Sequence, residues 1–259
     1  MAKGDLARGG AVISKRSEPS SHVPQTYEFS WRELRYRLSQ EDEQALLRLG
    51  DLASMGGSRA QRVSLLLAQA YELEGQPFDP ERLSVVDRTA ALFALAFRQG
   101  RWPARFVSVC MACSAGNELR VSPDEYQYVE AKAYHLDANG ARLMQPNGFH
   151  ERLIEDTQVV VPSDLLIDGQ LADEELALAE VAAAAPEFSA ALPYDCNACA
   201  EQNTFWFDPL SWIAKHVHSL LQEVHQLASA YGWTESQVLQ VPRARRQAYI
   251  RLLAMESAR

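Results

Sequence analysis

Four cysteines constrain this chain more than anything else in it. They are the only ones among 259 residues, and they fall into two pairs, Cys110-Met111-Ala112-Cys113 and Cys196-Asn197-Ala198-Cys199. A Cys-x-x-Cys turn presents two sulfurs to one side, so two such turns supply a tetrahedral thiolate site. The flanks agree. Phe106-Val107-Ser108-Val109 runs into the first pair and Glu118-Leu119-Arg120-Val121 leaves it. Pro193-Tyr194-Asp195 enters the second, and Asn203-Thr204-Phe205-Trp206-Phe207 leaves it. These runs are rich in β-branched and aromatic side chains, which favour a pleated strand.

Strand, knuckle and strand, given twice, describe a zinc ribbon with Cys110, Cys113, Cys196 and Cys199 as structural ligands of Zn2+. Two other uses of the cysteines fit less well. A thioredoxin-like redox pair belongs at the start of a helix, whose N-terminus lowers a thiol pKa, and both pairs here sit between strand-like runs. A catalytic zinc keeps one position open for water, and four thiolates fill the shell. The zinc deaminases also place His-x-Glu ahead of their Cys-x-x-Cys, and none of the six histidines stands at that spacing. An iron–sulfur cluster or reduced, metal-free thiols remain open as alternatives.

Composition narrows the setting. A hydrophobic share of 47% is enough for a real core, and the net charge of −9 disfavours nonspecific attraction to nucleic acid or anionic membrane. Met1-Ala2-Lys3-Gly4-Asp5-Leu6 lacks the apolar stretch of a signal peptide, and no later run is long enough to span a bilayer. The expectation is therefore a cytoplasmic protein with reduced thiols, in which disulfides are the weaker reading.

Taken in order, residues 1–25 carry Gly9-Gly10 and Ser17-Glu18-Pro19-Ser20-Ser21 and read as a flexible tail. Residues 26–103 read as a helical subdomain. Ser39 is a candidate cap with Glu41, Asp42 and Glu43 behind it, and Ala45, Leu46, Leu49 and Ala53 share one face, interrupted by Gly50. Val63, Leu65, Leu66, Leu67, Ala70 and Tyr71 give a second helix within 58–74, and Ser84 opens a third that stops at Gly100. The ribbon spans 104–208, and its two knuckles are separated by an insert at 114–195. That insert holds sixteen acidic residues against four basic ones, so it offers either a solvated face or a docking surface for a basic partner. Within it, Thr157-Gln158-Val159-Val160-Val161 reads as a strand stopped by Pro162, and Asp173-Glu174-Glu175 opens a helix that ends near Pro186.

Residues 209–259 form a C-terminal helical segment. Pro209 starts a long helix that Gly232 stops, Thr234-Glu235-Ser236-Gln237 is a capping box for a short second helix, and Pro242 begins a third with Arg243, Arg245 and Arg246 near its start. This order resembles a helix-turn-helix, so a zinc-ribbon DNA-binding regulator is the alternative function. Residues 201–259 carry six basic and five acidic side chains, which leaves no electrostatic footprint beyond the arginine cluster. His216, His218 and His225 lack the spacing of three or four that paired ligands on one helix prefer.

One family shares this layout. Val159-Val160-Val161-Pro162-Ser163-Asp164-Leu165 lies between the two cysteine pairs. Glu223-Val224-His225-Gln226-Leu227-Ala228-Ser229-Ala230-Tyr231-Gly232-Trp233-Thr234-Glu235 closes the long helix, and Arg245-Arg246-Gln247-Ala248-Tyr249 follows. Over about residues 84–254 the chain resembles the zinc-ribbon baseplate-type proteins encoded with contractile phage tails and related contractile injection systems. The family's knuckle reads Cys-Pro-x-Cys-Gly; here Ser114 and Ala200 stand in the glycine position. The resemblance implies a non-enzymatic baseplate or hub assembly factor, or a minor structural component, with tail or baseplate proteins as partners and no small-molecule substrate. Trp233, Arg245, Arg246 and Tyr249 are the candidate partner-binding residues, with packing between the C-terminal helices as the competing role for Trp233 and Tyr249. The expected fold class is α+β, a four-cysteine zinc ribbon with a long acidic insert between two helical segments.

Overall fold

In the computed structural model, residues 24–38, 43–100, 102–138, 140–157 and 160–257 are described. Most of the N-terminal tail and the Ser39–Asp42 cap expected from the sequence lie outside them. The described chain mixes helices with small antiparallel sheets. None of its helices is long and apolar enough to cross a membrane.

Three helices come first: α1 (Glu43–Ser54), α2 (Arg59–Ala70) and α3 (Val85–Arg98). Ser58 and Ser84 cap the second and third, each accepting from the backbone N–H three residues on, which satisfies a donor the helix itself leaves unpaired. α2 ends earlier than its apolar pattern suggests, because Tyr71 turns into a short strand. β1 (Arg35–Tyr36) and β2 (Tyr71–Glu72) pair antiparallel beside the helices. α1 runs through Gly50 without a break, for a reason of packing. A Cβ built on Gly50 would sit 2.3 Å from the side chain of Val217.

Val217 belongs to α6 (Pro209–Tyr231), the long C-terminal helix, which begins with an Asp208 cap and ends at Gly232 in the left-handed region, φ 70°. Its face of Leu210 and Ile213 completes one core with Leu49, Leu66, Leu67, Leu92 and Leu95 of the N-terminal helices. Full burial of a leucine or isoleucine contributes about 1.5–3 kcal/mol, so helices at opposite ends of the sequence are tied by the dominant folding term. Two further helices follow, the short α7 (Glu235–Gln240) and α8 (Arg243–Ser257). They fold back on α6 through Leu220, Val224, Leu227 and Val238.

Two hairpins stand on this core. β3 (Ala104–Val109) pairs with β4 (Gly116–Val121), and β10 (Ala191–Asp195) pairs with β11 (Gln202–Trp206). Between them lies the insert: β5 (Tyr128–Val129), β6 (His135–Ala138), β7 (Ala141–Met144), α4 (Gly148–Thr157), β8 (Leu166–Asp168), α5 (Glu174–Ala184) and β9 (Glu187–Phe188). β6, β7 and β8 form a three-stranded sheet under α5 around a small core of Leu143, Leu165, Ala177 and Val181. The strand expected over 157–161 is absent at its described positions. Thr157 closes α4, and Val160 and Val161 lead into a short 3-10 turn; residues 158 and 159 lie outside the described set.

The insert is stitched to the helices by buried polar groups. Arg88 of α3 is 1% exposed; its Nε donates to Glu151 of α4 at 2.8 Å, and its terminal nitrogens donate to the carbonyls of Pro80 and Ala60 at 2.8 and 2.9 Å. His150, on α4 next to Glu151 in sequence, is fully buried, with its Nδ1 against Asn147 and its Nε2 3.0 Å from the Asp164 carbonyl. A buried charge is tolerated only when it is paired and its remaining donors are satisfied, and Arg88 meets both conditions.

Candidate metal centre

The two hairpins meet face to face at their turns. Inward-pointing side chains alternate along each strand, and Phe106 of β3 meets Phe205 of β11 with ring centroids 5.2 Å apart. The Tyr194 hydroxyl donates to Ser108 Oγ at 2.9 Å across the gap. Below them, Phe207 packs edge-on against Phe93 of α3 and Trp212 of α6. An aromatic seam thus carries each hairpin down onto the helical core and fixes where its turn points.

The turns bring all four cysteines together. Their Sγ atoms lie within 4.8 Å of one another, with Cys110 and Cys196 buried and Cys113 and Cys199 exposed. Cys110 to Cys199 and Cys113 to Cys196 are each 3.7 Å apart. That is far beyond the length of a disulfide, about 2.05 Å. It matches the edge of about 3.8 Å that follows from a tetrahedron with metal–sulfur bonds of about 2.3 Å. The donor set, the spacing and the closed shape therefore fit a metal ion. Among the described residues this is the group of cysteine, histidine and carboxylate side chains close enough to share one.

Each turn closes in the same way. The Cys110 N–H donates to the Ala115 carbonyl and the Ser114 N–H to the Cys110 carbonyl, both at 2.9 Å. In the second turn Cys196 donates to Glu201 and Ala200 to Cys196, again at 2.9 Å. The fifth residue of each turn must be left-handed, and Ser114 and Ala200 adopt φ 61° and 59°. The knuckle thus forms with a side chain where the resembling family has glycine, at a conformational cost of about 1–2 kcal/mol per turn.

Two residues not singled out in the sequence complete the centre. Asn117 of β4 accepts the N–H of Asn197 through Oδ1 at 2.8 Å and directs Nδ2 at Cys196 Sγ, 3.6 Å away. Asn203 of β11 does the same in reverse: Oδ1 accepts the Met111 N–H at 3.1 Å and Nδ2 points at Cys110 Sγ, 3.4 Å away. The signal was present as a repeat, Cys-x-x-Cys-x-x-x-Asn, once at 110–117 and once at 196–203.

The electrostatics of the sulfurs follow from these contacts. The N–H groups of Ala198 and Cys199 hold the Cys196 thiol down to about 6. The N–H of Cys113 acts in the same direction on Cys110. The N–H of Glu201 pulls Cys199 the same way, yet neighbouring Cys113, burial and the other two sulfurs outweigh it and push Cys199 up to about 12. Four thiolates so close together repel one another, and a dication at the centre relieves that repulsion.

The expected partner-binding residues are not a single exposed patch. Arg245 is exposed, but Arg246, expected as a surface anchor, is fully buried. Its guanidinium lies 2.5 Å from Glu43 of α1 and 3.5 Å from Glu223 of α6, and it donates to the Val241 carbonyl at 2.6 Å. Buried Glu223 and partly buried Glu43 draw it inward, so it locks α8 to the core. Trp233 and Tyr249 are half-buried and pack edge-on to each other and against Tyr231, the packing role set against partner binding above. Exposed apolar side chains occur on the C-terminal helices too, at Leu221, Leu252 and Met255, but the most exposed of them belong to the hairpins and the first knuckle: Val107 (74% exposed), Met111 (92%) and Trp206 (67%), with Val109 beside them.

Compared with known proteins, the chain matches no family model, no curated protein and no solved structure.

Proposed function

We propose that this chain is a zinc-stabilised, non-enzymatic assembly or minor structural protein of a contractile tail machine. It would work in the cytoplasm of the producing cell, with baseplate or tail proteins as its partners. The setting rests on the sequence resemblance over residues 84–254. The observation that carries the mechanism is the four-sulfur cluster, which joins hairpins separated in sequence by residues 122–190. Zn2+ suits an all-thiolate tetrahedral shell with no open position. Such a site supplies folding energy rather than chemistry, on the order of 10 kcal/mol. Clamped in this way, the hairpins become a rigid platform. Their outer faces carry Val107, Val109, Met111 and Trp206, the kind of apolar and aromatic side chains that anchor interfaces. Arg245 offers a further anchor on α8.

The DNA-binding alternative loses ground on one observation. Of the three arginines that would make its electrostatic footprint, Arg246 is spent on Glu43 and Glu223. The test is purification of the tagged chain from cells producing the tail, with zinc measured on the same sample. About one zinc per chain and co-purification of baseplate or tail components are expected. Protein without metal, or with DNA retained in place of tail components, overturns the reading.

A further inference from the structure

The two asparagines at the knuckles obey one rule twice. Each stands four residues beyond the second cysteine of its own turn, and each reaches across to the opposite turn. Both are buried, Asn117 at 1% exposure and Asn203 at 8%. Each amide is used on three sides. Asn117 Nδ2 also donates to the Ala115 carbonyl at 3.0 Å, and Asn203 Nδ2 to the Glu201 carbonyl at 2.7 Å. Those bonds fix the amide to its own hairpin. The remaining acceptor and donor then belong to the other hairpin. At this length only asparagine offers one acceptor and two donors; aspartate has no donor when ionised, and serine or threonine has a single one.

The donors also choose their sulfurs. They go to Cys196 and Cys110, the buried first cysteine of each turn. Four thiolates around a dication leave a net charge of about −2. An N–H directed at a buried thiolate takes up part of that charge where water cannot.

We propose that Asn117 and Asn203 are positioning residues that make the two knuckles one metal-binding unit. Each holds the opposite Cys-x-x-Cys turn by its N–H and tempers the charge of that turn's first sulfur. Neither hairpin is then a half-site of its own. The hairpin that lacks its partner's asparagine has both a looser turn and a less stabilised thiolate. This rests on the reading of the cluster as a metal centre, and the experiment separates the two.

The full chain is prepared reduced and metal-free, then titrated with Co2+, whose thiolate complexes absorb, and with Zn2+ against a chromophoric chelator. The wild type should give the spectrum of tetrahedral thiolate cobalt. Asn117→Ala and Asn203→Ala should each weaken binding 10–100-fold and move the sulfur-to-cobalt charge-transfer band to longer wavelength. Asn117→Asp keeps an acceptor for the Asn197 N–H and loses both donor contacts, to Cys196 and to the Ala115 carbonyl, so its band should move while the bond to the opposite turn persists. A purely structural asparagine would leave the band in place. Variants that bind as tightly as the wild type, with an unshifted band, overturn the proposal. An unshifted band in Asn117→Asp does so even where the alanine variants fail to fold. A wild type that binds neither ion removes the metal centre itself, a different outcome from metal held equally by all.

Discussion

Arg246 is a cation whose worth lies in what it leaves behind when removed. Arg246→Ala strands buried Glu223 and takes the cation away from partly buried Glu43. It should cost about 3–5 kcal/mol, read as a fall in the urea midpoint, with α8 becoming protease-sensitive first. The knuckle residues behave in the opposite sense. Ser114 and Ala200 hold left-handed φ values, so Ser114→Gly and Ala200→Gly should stabilise the chain by up to about 1 kcal/mol each, the relieved strain being partly offset by glycine's greater freedom when unfolded. Burial holds the His150 imidazole below its ordinary range. The unfolded chain then takes up a proton at about pH 6.5 while the folded one stays neutral. Stability is therefore undiminished above that pH and declines as pH falls toward the folded value. His150→Gln should flatten this part of the urea-midpoint profile between pH 7 and 5.5, whereas any acid loss at the sulfurs persists in both proteins. The cysteines could be read from the sequence because two sulfurs at a fixed spacing announce a shared ion. Arg246 could not, because the carboxylate nearest its guanidinium lies 203 positions away.

Among the elements, α1 and α6 approach closely at Gly50 and Val217. A methyl at position 50 has nowhere to go. Gly50→Ala should destabilise by about 1–3 kcal/mol or more despite alanine's better helix propensity, and Val217→Ala in the same chain should recover part of the loss. Thermal melts of the two single variants and the double variant check this. The same glycine explains a limit of sequence reading. It looks like a helix breaker in the apolar pattern of α1, yet it is there so that another helix can come near. Long periodic helices, α3 and α6 above all, were legible with their caps, because Ser84, Pro209 and Gly232 mark their ends. α4 was not legible. Its buried side chain, His150, is polar and held by Asn147 and the Asp164 carbonyl, so no apolar face marks the helix, and the following valines read as a strand.

At the scale of the molecule, the α+β character was visible in the change from helical to alternating periodicity. The joining of the N-terminal helices and α6 into one core was not, since nothing local in either segment names the other. The sulfur cluster and the aromatic seam lie on the same side of that core, so they should respond together. Chelation under reducing conditions should abolish much of the near-ultraviolet circular dichroism from Phe106, Phe205, Phe207 and Trp212, while the far-ultraviolet helical signal largely persists. Cys196→Ser should reproduce that pattern without chelator.

The insert leaves at Cys113 and returns at Cys196, whose sulfurs are 3.7 Å apart. Departure and return at one point give the polypeptide a second, non-covalent continuity. A protease that nicks the segment between them severs the backbone but frees neither fragment. With the ion in place the two pieces should still migrate as one particle, and they should separate only when the ion is withdrawn and denaturant loosens the Arg88–Glu151 bridge.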